Sequence, residues 1–488
     1  MKLLSPPNAR PVRRPVTLIA LASVALLSAC ASLAPAGGDL PETPLPAAWS
    51  STPVNAVAAP SPTALAGWWQ RFNDPTLTTL VTQALQANTS VKSAQAALLQ
   101  ARAQRDVQQA GMGPMLDASA SAQRGKSGSN DTSNRFQAGF DASWEPDIFG
   151  GNRSALNASE ADTRVSETSL ADVQVSLAAE VAAAYIELRG LQTRLAIARS
   201  NLAAQTETLQ ITRWRTQAGL ASSLDLEQAI ASSEQTAAQI PALQTSIAQA
   251  LSGLAVLTGQ APGTLPTALQ GALTTAAPVP QGGGDLALAF PADTLRQRPD
   301  VRTAEHRISA ALSRVAAADA ARYPSFRLSG SLGLSALTLG TLTNGASVVN
   351  SLLASVSAPL FDGGAARAQV RSQEAALEQA RVAYQGAVIS AVKDVEDALV
   401  ALQGDRERLV RLQAASTAAA NAELLARQRY ESGLIDFRSV LDTQRTLLST
   451  QDSVASTQAT LSADHVRLYK ALGGGWTPDA PPVEATTR

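Results

Sequence analysis

Cysteine is nearly missing: Cys30 is the only one in 488 residues, so no disulfide can form within the chain. Histidine is almost as scarce, with two, and His306 and His465 lie too far apart to suggest a metal site; both read as packing or surface residues. Aromatic residues make up 4% of the chain and charged residues 16%. The 39 basic and 40 acidic residues cancel and leave no basic stripe, which excludes nucleic acid as a partner. A Walker A loop, a His-Glu-x-x-His helix and a Gly-x-Ser-x-Gly elbow are all absent, so the sequence offers no enzyme chemistry and no cofactor or metal site. What is present is a 45% hydrophobic content rich in alanine, suited to close helix–helix packing rather than to a bulky core.

The N-terminus reads as a targeting segment, 1–29. Lys2, Arg10, Arg13 and Arg14 precede an apolar run from Val16 to Ala29 that is too short to span a bilayer. It ends Leu27-Ser28-Ala29-Cys30, which resembles the lipobox of bacterial lipoproteins, where cleavage exposes the cysteine for acylation. Cys30 is therefore the expected lipidation site. Ala31 and Ser32 follow it, without the aspartate that holds many lipoproteins in the inner membrane. Residues 30–62 are rich in Pro, Ala, Ser and Thr and read as a flexible tether.

The rest of the chain is written twice. Gly219, in Arg-Trp-Arg-Thr-Gln-Ala-Gly-Leu-Ala, returns as Gly433, in Arg-Gln-Arg-Tyr-Glu-Ser-Gly-Leu-Ile. Gly259 returns as Gly473 at the same spacing, and Ile148-Phe149-Gly150-Gly151 is answered by Phe361-Asp362-Gly363-Gly364. The repeat is too long for a solenoid unit and reads as a duplicated half-molecule. The first copy spans 63–262, a linker 263–285, the second copy 286–474, and a tail 475–488. Each copy predicts helix, strand, loop, strand and two long helices around a tight turn.

The first helix is expected over 64–112, stopped by Gly111-Met112-Gly113-Pro114. Strands follow at about 115–124 and 135–144, and in the second copy at about 325–335 and 348–358, each long enough to cross an outer membrane at a tilt. Four strands cannot close a barrel, and open edges are not tolerated in lipid. Either these strands lie outside a membrane, or several chains share one barrel; three chains would supply twelve strands. Long helices are expected at about 153–217 and 365–431, with shorter return helices at 222–258 and 436–472. Val181, Leu188, Leu195, Leu202 and Leu209 fall at every seventh position, a coiled-coil seam, and a helix of about 65 residues reaches ~100 Å. Pro241 is expected to interrupt and kink the first return helix, where the second copy has Ala455.

Several of these motifs in register resemble the TolC/OprM outer-membrane factors, specifically the NodT-type lipoproteins of tripartite efflux systems. They include Trp144-Glu145-Pro146-Asp147-Ile148-Phe149-Gly150 and Ala218-Gly219-Leu220-Ala221-Ser222-Ser223-Leu224-Asp225-Leu226. The resemblance runs from Trp68-Trp69 to Leu472-Gly473 and implies a mainly α fold with a membrane β-barrel portion. Each chain would form one third of a homotrimer, with a twelve-stranded barrel in the bacterial outer membrane and a long α-helical (coiled-coil) barrel in the periplasm. It implies a passive, gated exit duct for small molecules, fed by an inner-membrane pump of the resistance–nodulation–division type through a periplasmic adaptor. A duct for type I protein secretion and a non-porous coiled-coil spacer are the alternatives.

The tip glycines place Asp225 and Asp442 at the periplasmic mouth, where a trimer makes each a ring of three carboxylates that favours cations. The same residues read equally as acidic groups at helix N-termini. Tyr430 matches a family tyrosine that bonds the first-copy tip aspartate, here Asp225, in the closed state. Ser439 stands where the founding pattern has a second aspartate, and Arg438 lies near enough in sequence to pair with Asp442. Gly219, Leu220, Ala221, Gly433, Leu434 and Ile435 are the expected adaptor contacts, or else caps packed inside the hairpins. Trp49, Trp68, Trp69 and Trp476 flank the helical core as candidate anchors.

Overall fold

The structure is a computed structural model that describes residues 40–41, 65–126, 132–265, 267–275, 277–282 and 292–476. The signal segment, Cys30, Trp49 and most of the tether and tail lie outside the described residues. The chain divides into two compact units, and the described parts of one are chiefly 103–126, 132–162 and 308–380. The other comprises 65–102, 163–307 and 381–476, less the undescribed linker residues.

The first unit carries the sheet. Strands β1 (Met115–Gly125), β2 (Ser133–Trp144), β3 (Ser325–Ala336) and β4 (Val348–Ser357) pair antiparallel in sequence order. Each repeat contributes one hairpin, and β2–β3 pairing joins them. Gly139 faces Gly333 there, so close that a Cβ on Gly139 would lie 2.8 Å from the Gly333 Cα and 2.9 Å from the Leu332 carbonyl oxygen. Only glycine tolerates that approach.

Each hairpin passes into a helix of the same length, α3 (Gly151–Gln217) and α7 (Ala365–Glu431), 67 residues apiece. The aspartate of each passage motif makes the start. Asp147 accepts the backbone N–H groups of Asn152 and Arg153 at 3.2 and 2.7 Å, and Asp362 accepts those of Gly364 and Ala366 at 2.8 Å. These are the orphan donors of a helix N-terminus, and their bonds hold Asp362 below the usual carboxylate range. Phe149 stacks on Tyr323, centroids 5.0 Å apart, and Trp144 Nε1 donates to the Met112 carbonyl.

In the second unit, the helix expected over 64–112 proves to be three pieces. A 3₁₀ turn, Trp68–Phe72, precedes α1 (Pro75–Ala87) and α2 (Thr89–Ala110). Asn88 makes the break: its backbone is extended, its Oδ1 accepts the Ser90 N–H at 2.7 Å, and its Nδ2 donates to the Leu257 carbonyl at 2.9 Å. Pro75 at the first helical position and the Asp74 carboxylate, which accepts from Thr76 and Leu77, start α1. Trp68 is fully buried, stacked on Tyr469 at 5.4 Å with Trp69 and Phe72 edge-on.

The return helices α4 (Ser223–Leu257) and α8 (Phe437–Ala471) are 35 residues each. Pro241 does not interrupt α4, which runs on through it; the proline removes one N–H donor without ending the helix. The linker holds a short helix, α5 (Thr267–Thr274), that composition did not announce. Arg189 of α3, 2% exposed, donates to the carbonyls of Thr275 and Ala272 at 2.7 and 3.0 Å, and Gln192 donates to that of Leu273 at 2.5 Å. At the start of α6 (Pro299–Ala320), Arg298 ties Asp300, Asp394 and the Ala471 carbonyl together, at 2.8, 3.1 and 2.7 Å.

Candidate functional site

The sheet offers the first functional surface. All three pairings match even-numbered residues with even and odd with odd. Side chains alternate along a strand, so each parity forms one continuous face. The even face carries Leu116, Phe140, Trp144, Leu328, Leu332, Leu334, Leu352 and Val356, with Leu352 80% exposed. The odd face carries Asp117, Ser119, Ser121, Arg135, Gln137, Asp141, Arg327, Ser329, Ser331 and Ser351, with Met115, Val349 and Leu353 as its exposed apolar exceptions. Ser331 and Ser351 share a hydrogen bond of 2.7 Å, and Ser119 donates to Asp141 at 3.0 Å. The even face turns polar at Arg124 and Asn134, paired beside the β1–β2 loop, and at Asn350. A mainly apolar face, a mainly hydrophilic face and strands of 10–12 residues are the makings of a transmembrane barrel wall.

The helical tips form the second site. Gly219 and Gly433 take left-handed backbone, φ 75° and 74°, and end α3 and α7 with the same pair of bonds. Leu220 N–H reaches the Arg215 carbonyl and Gly219 that of Thr216; Leu434 reaches Arg429 and Gly433 reaches Tyr430. Ser222 then caps α4 in a capping box with Asp225, and Asp436 caps α8, accepting from the Ser439 N–H at 3.0 Å and hydroxyl at 2.6 Å. Those Ser439 bonds hold Asp436 below the usual carboxylate range.

Among the described residues no hydrogen bond joins Tyr430 to Asp225. The Asp225 carboxylate is engaged by Ser222, through its N–H at 3.1 Å and hydroxyl at 2.8 Å. Tyr430 is 3% exposed, its hydroxyl 3.2 Å from that of Thr212, its ring edge-on to Phe437. Around it pack Ala229, Ala426, Val440 and Leu441, with Leu209, Ile211 and Ile435 at the margin. Ile435 therefore faces inward, unlike Leu220 and Leu434, which stay exposed. Ala221 is half-buried. Arg438 and Asp442 stand exposed on α8, and no ion pair joins them among the described residues.

Arg215 is the tip residue that the sequence reading passed over. Its guanidinium covers the Tyr430 ring, 4.5 Å from the centroid, and donates to the Tyr430 carbonyl. It ends a polar series at every seventh position of α3, one residue ahead of the apolar seam. Arg194 pairs with Asp452 at 2.6 Å, Asn201 bonds Gln451 at 2.8 Å, and Thr208 accepts from Gln444 at 2.9 Å. Gly190, further up, would put a Cβ 2.8 Å from that of Ala459. The first copy's outgoing helix is thus stitched to the second copy's hairpin down to the tip. The signal was the heptad spacing itself, read only for its apolar members.

A sheet sorted largely by polarity and long paired helices are the parts of a channel-forming protein. The chain belongs to the outer membrane efflux protein family, whose sequence model matches residues 80–260 and 290–474, one match per repeat. It is 30% identical over 482 residues to outer membrane protein OprJ of Pseudomonas aeruginosa, covering 95% of this chain and 97% of that one. Nodulation protein T of Rhizobium leguminosarum bv. viciae is 30% identical over 452 residues, 92% of each chain. Among solved structures, the outer-membrane channel OprN superposes with a TM-score of 0.82 at 35% identity, covering 90% of this chain and all of that one.

Proposed function

We propose that three copies of this chain close one twelve-stranded barrel, and that the resulting duct is the passive outer-membrane exit of an efflux assembly. The observation that carries the reading is the sheet: its two faces are largely sorted by polarity, and among the described residues β1 and β4 each leave one edge unpaired. Edges must be satisfied in lipid. Because β1 and β4 run antiparallel, the β4 of one copy meets the β1 of the next antiparallel as well, and an even strand number results. The helix α4, long and apolar enough to span a membrane yet little buried in the single chain, gains cover from a neighbouring copy.

The duct performs no chemistry and needs no cofactor; Cys30 bears the lipid that anchors it. An inner-membrane pump delivers small molecules through a periplasmic adaptor that meets the exposed tip residues Leu220 and Leu434. Efflux components are what the relatives' names describe, such as the solvent efflux pump protein SrpC of Pseudomonas putida, which favours efflux over protein secretion. Asp225, Arg438 and Asp442 belong to the mouth, with Tyr430 as its internal support. Particle mass in detergent tests the assembly, with single cysteines on the two sheet faces. A trimer in which Ser331→Cys reacts with a water-soluble thiol reagent while Leu352→Cys is shielded by lipid supports the reading. A monomer, or equal reactivity at both positions, overturns it.

A further inference from the structure

The second copy's hairpin holds a carboxylate whose charge has no complete set of partners. Asp464, on α8, is fully buried, with 0% exposure. Its Oδ1 accepts from Arg467, one turn along the same helix, while its Oδ2 meets no hydrogen-bond donor. The group that faces it from α7 is another acid, Asp405, whose own cation, Arg408, stands 3.8 Å away.

Two ionised carboxylates can only accept, so neither satisfies the other. A single proton does: shared by the pair, it gives one carboxyl a donor for the other, and removes one of two like charges. Among the described residues no donor reaches Asp464 Oδ2. His465, the next residue, turns its ring to the Leu461 carbonyl, 2.9 Å from Nδ1, and to Arg406, 3.4 Å from Nε2. The linker segment 277–282 closes over that ring through Gly282, where a Cβ would lie 2.8 Å from the imidazole, and it contains no charged residue.

We propose that Asp464 and Asp405 form a proton-binding dyad inside the helical wall, and that taking up one proton ties α8 to α7. Burial raises Asp464 to about 6, with Arg467 pulling the other way and Asp405 adding to the rise. The folded chain therefore keeps this proton up to about pH 6, whereas the unfolded chain releases it near the ordinary aspartate value of 3.8. The contribution to stability is full below the unfolded value and is lost as pH rises through the folded one. The dyad requires only the α7–α8 pairing, so it stands or falls separately from the exit-duct reading. Acidification stiffens the hairpin that carries Tyr430 and Phe437 at its far end.

The test is thermal unfolding of the purified full-length protein in detergent between pH 4 and 8, wild type beside Asp464→Asn. The asparagine amide donates to Asp405 at every pH. The expected result is a wild-type midpoint that falls by a few degrees from pH 4 to 6.5 and then levels, against a flatter curve for the variant, with a midpoint at pH 7.5 no lower than wild type. Parallel curves overturn the proposal. Should that variant fail to fold, infrared titration of wild type decides. A protonated-carboxyl signal that disappears near pH 6 supports the dyad, and carboxyls all ionised by pH 5 refute it. Asp405→Asn, probing the same pair from the other helix, must remove that signal too.

Discussion

The guanidinium of Arg215 lies over the ring of Tyr430 and also donates to that residue's carbonyl, so one side chain of the first repeat holds the last turn of α7 in the second. This relationship changes how the mouth can move. The second hairpin cannot swing away from the first without exposing the Tyr430–Phe437 cluster and breaking the polar series from Arg194 to Arg215. Within one chain the two tips form a single packed body.

Arg215→Ala removes the cation–π contact, about 1–2 kcal/mol when desolvated, and a charge-assisted hydrogen bond of about 1.5–3 kcal/mol. The expected outcome is faster hydrogen exchange across 428–441 and a larger single-channel conductance, with trimer mass unchanged. Tyr430→Phe keeps ring and packing and loses only the Thr212 bond, about 1 kcal/mol, so its effect is smaller. Equal effects from the two variants would show that Arg215 does not hold the tip.

Asp225 and Asp442 are expected to separate in their behaviour. Asp225→Ala removes half of a capping box and costs about 1 kcal/mol of stability. Among the described residues the Asp442 carboxylate accepts no hydrogen bond, so Asp442→Ala leaves stability within about 0.5 kcal/mol and instead lowers cation preference. Reversal potentials in a salt gradient check this; unchanged selectivity in Asp442→Ala removes it from the mouth.

The Gly139–Gly333 approach sets the junction between the two hairpins. Gly139→Val places a Cβ inside the opposing backbone, and loss of assembled trimer from the membrane is the expected result. Gly125→Val, with open space at its Cβ position, is the control and should assemble normally. Normal assembly of both would mean that β2 and β3 pair differently in the membrane.

Arg189→Met keeps the stem but abandons the Thr275 and Ala272 carbonyls and the Tyr185 hydroxyl. A loss of about 2–4 kcal/mol is expected from these bonds, read as rapid exchange and proteolysis confined to 267–275. Protection there equal to wild type would show that α5 is held by other means.

How much of this was legible beforehand follows from where the information sits. The duplication, the tip glycines and the alternation of Phe326, Leu328, Leu332 and Leu334 with Ser325, Ser329, Ser331 and Ser335 are local patterns, and local patterns survive in a bare sequence. The break at Asn88 and the α5 helix are not local, because each depends on a side chain meeting carbonyls far along the chain. Tyr430 was noticed through the family pattern, but its surroundings here were not legible: Asp225 bonds within its own helix cap, and Thr212 and Arg215 are the tyrosine's partners in this structure.

The most direct test of the central claim, that this chain builds a duct closed chiefly at its helical tips, is single-channel conductance in planar bilayers, wild type beside Arg215→Ala. The expected result is a small wild-type conductance that rises several-fold in the variant while the particle remains a trimer. Correctly assembled trimers of both that pass no current would contradict it.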